Sequence, residues 1–177
     1  MLLFCLMTIA SVHASVVVSD GDGYFLDDYG NNLGVSSASS VRFTGGAVSL
    51  ISPNTTGDYR TVEIVPTSFD QWRQLDVTAG SLFAPGDLLA EVRSEDGLTV
   101  LIPPQPVTGP ISLASLNSPT LVPGIRVHVY FTKSGAVAPT VDSLLVTWHP
   151  MSQVSIDKQG PAEVQAARVW CIARATR

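Results

Sequence analysis

Cysteine is nearly absent from this chain of 177 residues, which contains only Cys5 and Cys171. No cysteine lies between them, so the chain cannot build the disulfide framework that stabilises many small exported domains. Histidine is also rare, and no Cys/His spacing typical of zinc sites occurs. A hydrophobic core must therefore stabilise the fold, and the length suffices for one domain with such a core.

Basic residues are scarce as well. The chain has 10 Lys and Arg against 15 Asp and Glu, and its only lysines are Lys133 and Lys158. Between positions 16 and 150, 13 acidic residues stand against 6 basic ones. Such a charge balance repels phosphate backbones, and there is no polybasic or amphipathic stretch that would suit a membrane surface. We therefore expect no nucleic-acid partner.

Long apolar runs are missing except at the N-terminus. Residues 1–14 are apolar through Ala10 and end in Val12-His13-Ala14, a pattern typical of signal-peptide cleavage. We predict a signal peptide and a mature start at Ser15, although the segment has no Lys or Arg; a buried N-terminal strand or helix is the alternative. No later run approaches the roughly 20 residues of a membrane span. The prediction is a secreted or cell-surface protein without membrane insertion after cleavage.

Turn-forming residues are abundant, with 14 Gly and 12 Pro, and only 14% of residues are charged. This composition favours an all-β protein with short strands. Alternation with period two is clearest over residues 125–131, where it predicts that Arg126, His128 and Tyr130 face outward. Similar patterns predict strands at 15–19, 41–44, 47–51, 59–65, 71–78, 88–93, 98–102 and 142–148.

Turn signals complete the predicted fold. Gly45-Gly46 and Asp96-Gly97 predict hairpins, whereas residues 103–106, Pro-Pro-Gln-Pro, predict a loop because proline does not suit a central strand. We therefore predict a two-sheet antiparallel β-sandwich, jelly-roll-like, over residues 15–150. An irregular or short helical tail is expected at 151–177.

Two segments suggest a relationship to known modules. The segment at 69–75, Phe-Asp-Gln-Trp-Arg-Gln-Leu, and the closing strand at 138–148, Ala-Pro-Thr-Val-Asp-Ser-Leu-Leu-Val-Thr-Trp, resemble jelly-roll modules of exported bacterial and archaeal surface proteins. Those modules are related in shape to laminin-G-like and galactose-binding-like sandwiches. The resemblance implies an extracellular module of a multidomain protein.

The tail has a resemblance of its own. Residues 154–164 are similar to the opening strand of the Ig-like conserved repeat of adhesin-like surface proteins, but the expected Gly is missing. After Gln165 the composition changes abruptly. We therefore interpret 151–177 as a linker and the truncated start of a repeat domain; a short C-terminal helix with a free thiol is the alternative. Downstream repeat domains would be partners in the full-length protein.

No catalytic set is predicted. A mature chain has only His128 and His149 as histidine bases, and the G-x-S-x-G pattern of acyl-transfer enzymes is absent. We expect His128 to be a solvated surface residue and His149 to lie at a strand end. The acidic residues are interpreted as surface groups, and we expect no enzymatic activity.

One acidic segment suggests a metal. Asp20, Asp22, Asp27 and Asp28 form the densest group of oxygen ligands, the kind that Ca²⁺ prefers. The segment does not match an EF-hand. It leaves two interpretations open, a structural calcium ion or a polar, turn-rich linker, and no other cofactor is expected.

Exposed aromatic residues suggest a ligand. Tyr130, with Arg126 and His128 beside it on the outward face, is the best candidate for stacking on a sugar ring. We predict a non-catalytic extracellular module with a structural or adhesive role, bound to a cell-surface or extracellular polymer. The alternative is a carbohydrate-binding accessory module of a secreted polysaccharide-active protein, with a glycan as its ligand.

Overall fold

A computed structural model describes residues 16–20, 22–80, 83–117 and 120–151. The predicted signal peptide and residues 152–177 of the predicted tail lie outside the described residues. The described part of the chain holds no apolar helix of membrane-spanning length. Its elements are β1 (Val17–Ser19), β2 (Tyr24–Asp27), β3 (Val35–Ser39), β4 (Val41–Phe43), β5 (Val48–Leu50), β6 (Thr56–Thr61), β7 (Phe69–Ala79), β8 (Leu88–Ser94), β9 (Val100–Pro106), β10 (Ile111–Ser112), a 3-10 turn (Ala114–Leu116), β11 (Ile125–Thr132) and β12 (Thr140–Pro150).

The strands form two antiparallel sheets. The five-stranded sheet has the order β3-β6-β11-β8-β9, so β11 is its central strand. In the seven-stranded sheet β12 is central, with β7 along one side and β2 and β5 along the other. β1, β4 and β10 lie at the edges of that sheet. The chain crosses repeatedly between the sheets, and the predicted two-sheet β-sandwich is confirmed.

The core lies between the inner faces of the two sheets. The inner face predicted for residues 125–131 is observed, since Ile125, Val127, Val129 and Phe131 are at most 1% exposed. Trp72 and Trp148 pack edge to face from neighbouring strands, with ring centroids 6.0 Å apart. Aromatic contacts of this kind add to the stability that apolar burial gives.

A bulge in β7 places one of these tryptophans. Alternation alone puts Trp72 on the opposite face from Leu75, which indicates either a bulge or the start of a strand between them. The structure has the bulge: the pairing of β7 with β12 shifts by one residue at this point. Trp72 and Leu75 are consequently both fully buried on the inner face.

Two segments differ from the prediction. Residues 103–106, predicted as a loop, belong to β9, an edge strand, where proline is tolerated because one side of the strand needs no ladder partner. Residues 24–27, for which no strand was predicted, form β2, which pairs with β12. The acidic composition around β2 hid its alternation, because its inward residues are Phe25 and Asp27.

Candidate functional site

The outer surface of the five-stranded sheet carries a continuous group of charged and polar side chains, named here the polar face. Three neighbouring strands contribute to it, because residues that alternate with the core residues point away from the core. Its members are Asp58 and Arg60 of β6, Glu91 and Arg93 of β8, and Arg126, His128 and Tyr130 of β11. The structure thus places the three candidate ligand residues on one face and surrounds them with charges from two other strands.

Hydrogen bonds connect the polar face diagonally across the strands. His128 Nε2 lies 2.8 Å from Asp58 Oδ2. The Tyr130 hydroxyl donates to Glu91 Oε2 over 3.0 Å, and Arg93 Nε donates to the other oxygen of Glu91. The rings of His128 and Tyr130 are in contact and tilted by 35° to each other, with centroids 4.0 Å apart. The charged groups of this face therefore bind each other, and of these groups Arg60 is also exposed to solvent.

His128 is the centre of the polar face. Its side chain is buried, with 4% of the residue exposed, so the expectation of a solvated histidine is wrong. Arg60 Nε donates to His128 Nδ1 over 3.4 Å, which leaves the proton on Nε2, where Asp58 accepts it. Burial lowers the pKa of His128, the bond to Asp58 opposes this, and the charge of Arg60 adds to the lowering. The imidazole is therefore held neutral with both nitrogens engaged.

Arg126 and Tyr130 are held in a similar way. The Arg126 guanidinium lies 3.6 Å from the Glu63 carboxylate and donates to the backbone carbonyls of Thr61 and Glu95. Burial and the hydrogen bond to Glu91 raise the pKa of Tyr130. The three candidate ligand residues therefore share a face, but each is bonded to the protein itself, and their role in binding stays a prediction.

His149 is the second histidine that the sequence offered as a base. It lies at the exposed end of β12, where its Nδ1 is 2.9 Å from Asp70 Oδ1. Both side chains of this pair are about half exposed. This arrangement is that of a solvated surface ion pair, which contributes little to stability.

The four aspartates predicted as calcium ligands have separate partners. Asp20 accepts from the backbone and hydroxyl of Thr67, Asp22 from Ser19, Asp27 from the backbone of Tyr29, and Asp28 from the backbone of Gly30. Among the described residues, no group of three or more His, Cys, Asp or Glu is placed to hold a metal ion. The calcium hypothesis therefore has no ligand cluster in this part of the chain and stays a prediction.

Asp27 differs from the other three because it points into the core. It is 1% exposed, and only Oδ1 has a partner, the Tyr29 amide at 2.9 Å. Oδ2 is buried without a hydrogen bond within the described structure. A side chain at Gly34 would overlap this carboxylate, so glycine leaves room for it. Burial raises the pKa of Asp27, an effect that the bond from Tyr29 opposes.

A second surface feature lies on the outer face of the seven-stranded sheet. It is a concavity of about 370 Å³, named here the groove, and it is lined by Asp22, Gly23, Tyr24, Arg73, Gln74, Leu145, Thr147 and Trp148. Sequence reasoning missed it, because its residues come from strands far apart in the chain. Of these residues, the sequence marks Tyr24 and Trp148 as two of several aromatics that could contact a sugar and Asp22 as a candidate calcium ligand.

Strand register explains why the groove is polar. Ser19 pairs with Tyr24, Tyr24 with Thr147, Thr147 with Gln74, and Gln74 with Ser112. These residues form one row across five strands, which spans about 19 Å at the usual strand spacing of about 4.8 Å. The row presents four hydroxyl groups and one amide, all on the face that points away from the core.

Comparison with known proteins adds no family to this description: no protein-family model and no curated protein matches the chain. The resemblance to jelly-roll surface modules therefore stays a prediction. The class that the structure defines is an all-β antiparallel sandwich with two different outer faces. On one face the polar side chains bond to each other, and the other face carries an open polar groove.

Proposed function

We propose that this chain is a non-catalytic extracellular module whose role is adhesion to an extracellular polymer. The observation that supports it most is the difference between the two outer faces. The charged groups of the polar face satisfy each other, whereas the groove presents hydroxyl, amide and guanidinium groups to solvent. A concavity with a few polar groups on a rigid sheet suits recognition of a ligand.

The bonding of His128 argues against its use as a catalytic base. A general base needs a free lone pair within reach of the proton that it removes. In His128 one ring nitrogen carries the proton given to Asp58, and the other accepts from Arg60. Both ring nitrogens of His128, the histidine on which a catalytic proposal would depend most, are therefore already engaged in hydrogen bonds within the protein.

Two other functions follow from the same fold. A purely structural module would use the sandwich as a spacer and leave the groove empty. A carbohydrate-binding accessory module would use the groove to hold a polysaccharide for a catalytic partner. The groove favours the second of these over the first, because a concavity that combines an aromatic ring with polar groups suits a ligand and has no role in a spacer.

Depletion from solution tests the proposal. The full chain is mixed with insoluble cellulose, xylan and mannan, and the protein left in the supernatant is measured beside the release of reducing ends. Adhesion predicts depletion by at least one polymer without any release of sugar. Release of sugar would contradict the non-catalytic role. If none of the polymers removes the protein from the supernatant, the structural role is the better account.

A further inference from the structure

The groove has the chemistry of a sugar-binding site. Tyr24 supplies an aromatic ring, and its neighbours Thr147 and Gln74 supply a hydroxyl and an amide in the same row. An aromatic face matches the apolar face of a pyranose ring, and hydroxyl and amide groups can both donate to and accept from sugar hydroxyls. Leu145 extends the apolar part of the floor beside this row.

Three side chains of the groove are free to bind, whereas the Thr147 hydroxyl donates to the Gln74 carbonyl over 3.4 Å and Asp22 accepts from Ser19. In the described structure, neither the Tyr24 hydroxyl, the Arg73 guanidinium nor the Gln74 amide has a hydrogen-bond partner within the protein. The polar face is the opposite case, since Tyr130 and Arg93 there both bind Glu91. A ligand at the groove would meet donors that need not first be released from other partners, which lowers the cost of binding.

The charge of the groove selects a neutral ligand. Its charged members are Asp22 and Arg73, which have opposite signs. An anionic polymer would also meet the negative body of the protein, in which acidic residues outnumber basic ones between positions 16 and 150. A cationic polymer would be attracted by the negative body but would meet Arg73 in the groove itself. A neutral polyhydroxyl chain avoids both penalties.

We propose that the groove binds a neutral polysaccharide, with one pyranose ring stacked on Tyr24 and its hydroxyls bonded by Arg73, Gln74 and Thr147. The inference rests on the proposed adhesive function and names its site and ligand class. It also moves the site from the sheet face that carries Tyr130 to the opposite sheet. Three strands of the row, β2, β12 and β7, line the groove, and Ser19 and Ser112 continue the row beyond it on either side.

Nuclear magnetic resonance titration of the full chain locates the site. The probes are soluble hexasaccharides of β-1,4-linked glucose, xylose and mannose, with a galacturonate oligomer as the anionic comparison. We expect at least one neutral probe to shift the amide signals of Tyr24, Gln74 and Thr147, with the amides of His128 and Tyr130 as internal controls that do not move. The galacturonate oligomer is expected to shift neither set.

Two variants test the contact itself. Tyr24→Ala is expected to weaken binding of the neutral probe about tenfold, as loss of a stacked ring implies, whereas Tyr24→Phe keeps most of the affinity. A melting curve of each variant shows whether it is folded. If Tyr24→Ala is not folded, Tyr24→Phe still tests the stacked ring, because a large loss of affinity in that variant would contradict it. Shifts confined to the polar face would overturn the site but keep the adhesive function. Binding of the galacturonate oligomer alone at the groove would overturn the ligand class, and absence of any shift would overturn the inference.

Retention on insoluble polymer separates the two levels of the proposal. If insoluble polysaccharide depletes the chain but Tyr24→Ala is depleted equally, the groove assignment fails and adhesion stands. If no polysaccharide depletes the chain, the adhesive function fails together with the groove.

Discussion

At the scale of single residues, burial rather than sequence position decides the behaviour of His128. Its pKa is lowered mainly by burial, so the unfolded chain binds a proton more readily than the folded one. Folding with His128 neutral therefore has no cost above the pKa of about 6.5 that the histidine has in the unfolded chain. The free energy of unfolding decreases as the pH falls from there through the pKa of His128 in the folded chain. We expect the free energy of unfolding to fall between about pH 7.5 and about pH 5.5.

The substitution His128→Gln should remove part of that acid sensitivity, because glutamine does not titrate. Urea unfolding at both pH values measures the difference between the variant and the natural chain. The matched control His149→Gln, at the exposed end of β12, should keep the loss because His128 is intact. An equal dependence on pH in His128→Gln and the natural chain would contradict the account of this residue.

Asp27 leads to the opposite dependence on pH. Its raised pKa means that the folded chain binds the proton more tightly, so its stabilising effect is greatest in acid and is lost as the pH rises through the folded pKa. Asp27→Asn keeps an oxygen for the Tyr29 amide and removes the charge. We expect this variant to melt a few degrees higher than the natural chain at neutral pH.

The neighbouring residue supplies the control for Asp27. Asp28→Asn alters a carboxylate on the other side of the strand end, which is not fully buried, and should leave the melting temperature nearly unchanged. A lower melting temperature for Asp27→Asn at neutral pH would mean that the charge of Asp27 stabilises the fold.

At the scale of elements, the junction between β2 and β12 depends on one glycine. Gly23 has φ of 73°, and its carbonyl accepts from the Trp148 amide over 2.8 Å. A Cβ atom at this position would overlap the Trp148 carbonyl oxygen. Gly45 has a similar φ of 66° but open space around it. Substituting each glycine by alanine therefore separates two free-energy costs. At Gly45 only the left-handed backbone is unfavourable, whereas at Gly23 the new Cβ atom also overlaps Trp148.

We expect Gly45→Ala to lower the free energy of unfolding by about 1 to 2 kcal/mol, which is the usual cost of a left-handed backbone for alanine. Gly23→Ala should cost roughly 3 kcal/mol or more, because β2 must also move away from β12. Denaturant unfolding of both variants measures the difference. Equal losses would show that the close approach at Gly23 has no energetic consequence.

The sequence predicts the elements whose inward residues are apolar and misses those whose inward residues are not. Alternation identified β8, β11 and β12, and the outward position of Arg126, His128 and Tyr130 follows from it. It missed β2, because the inward Asp27 interrupts the apolar pattern. The partners of the polar face could be predicted only in part: Glu91 lies on a strand that alternates clearly, but nothing local indicates which strand lies beside it.

The groove could not be predicted at all from local patterns. Its central row depends on the registers of β2, β12 and β7, and Arg73 reaches it beside the bulge in β7. Registers between strands far apart in sequence are set by packing of the whole core, which a local pattern does not contain.

At the scale of the whole molecule, the apolar core is the feature of the described residues to which we assign the stability of the fold. The described residues bury an apolar core between two sheets, and the candidate aspartates bind backbone and hydroxyl groups. We expect the melting temperature of the full chain to be unchanged by a calcium chelator. A fall on chelation that added calcium reverses would revive the calcium hypothesis.

The two outer faces of the molecule differ in how their polar groups are bonded. One is closed by its own ion pairs and hydrogen bonds, and the other is open at the groove. This asymmetry is the central claim of the proposed function, since we propose adhesion at the seven-stranded sheet rather than at the face that the sequence alone favoured.

Comparison of two tyrosine variants tests this claim most directly. Melting curves first show whether Tyr24→Ala and Tyr130→Ala are folded. Each variant is then mixed with the insoluble neutral polysaccharide that depletes the natural chain most strongly. We predict that Tyr24→Ala stays in the supernatant while Tyr130→Ala is depleted like the natural chain. Retention of Tyr24→Ala together with loss of Tyr130→Ala would contradict the account and return the site to the polar face.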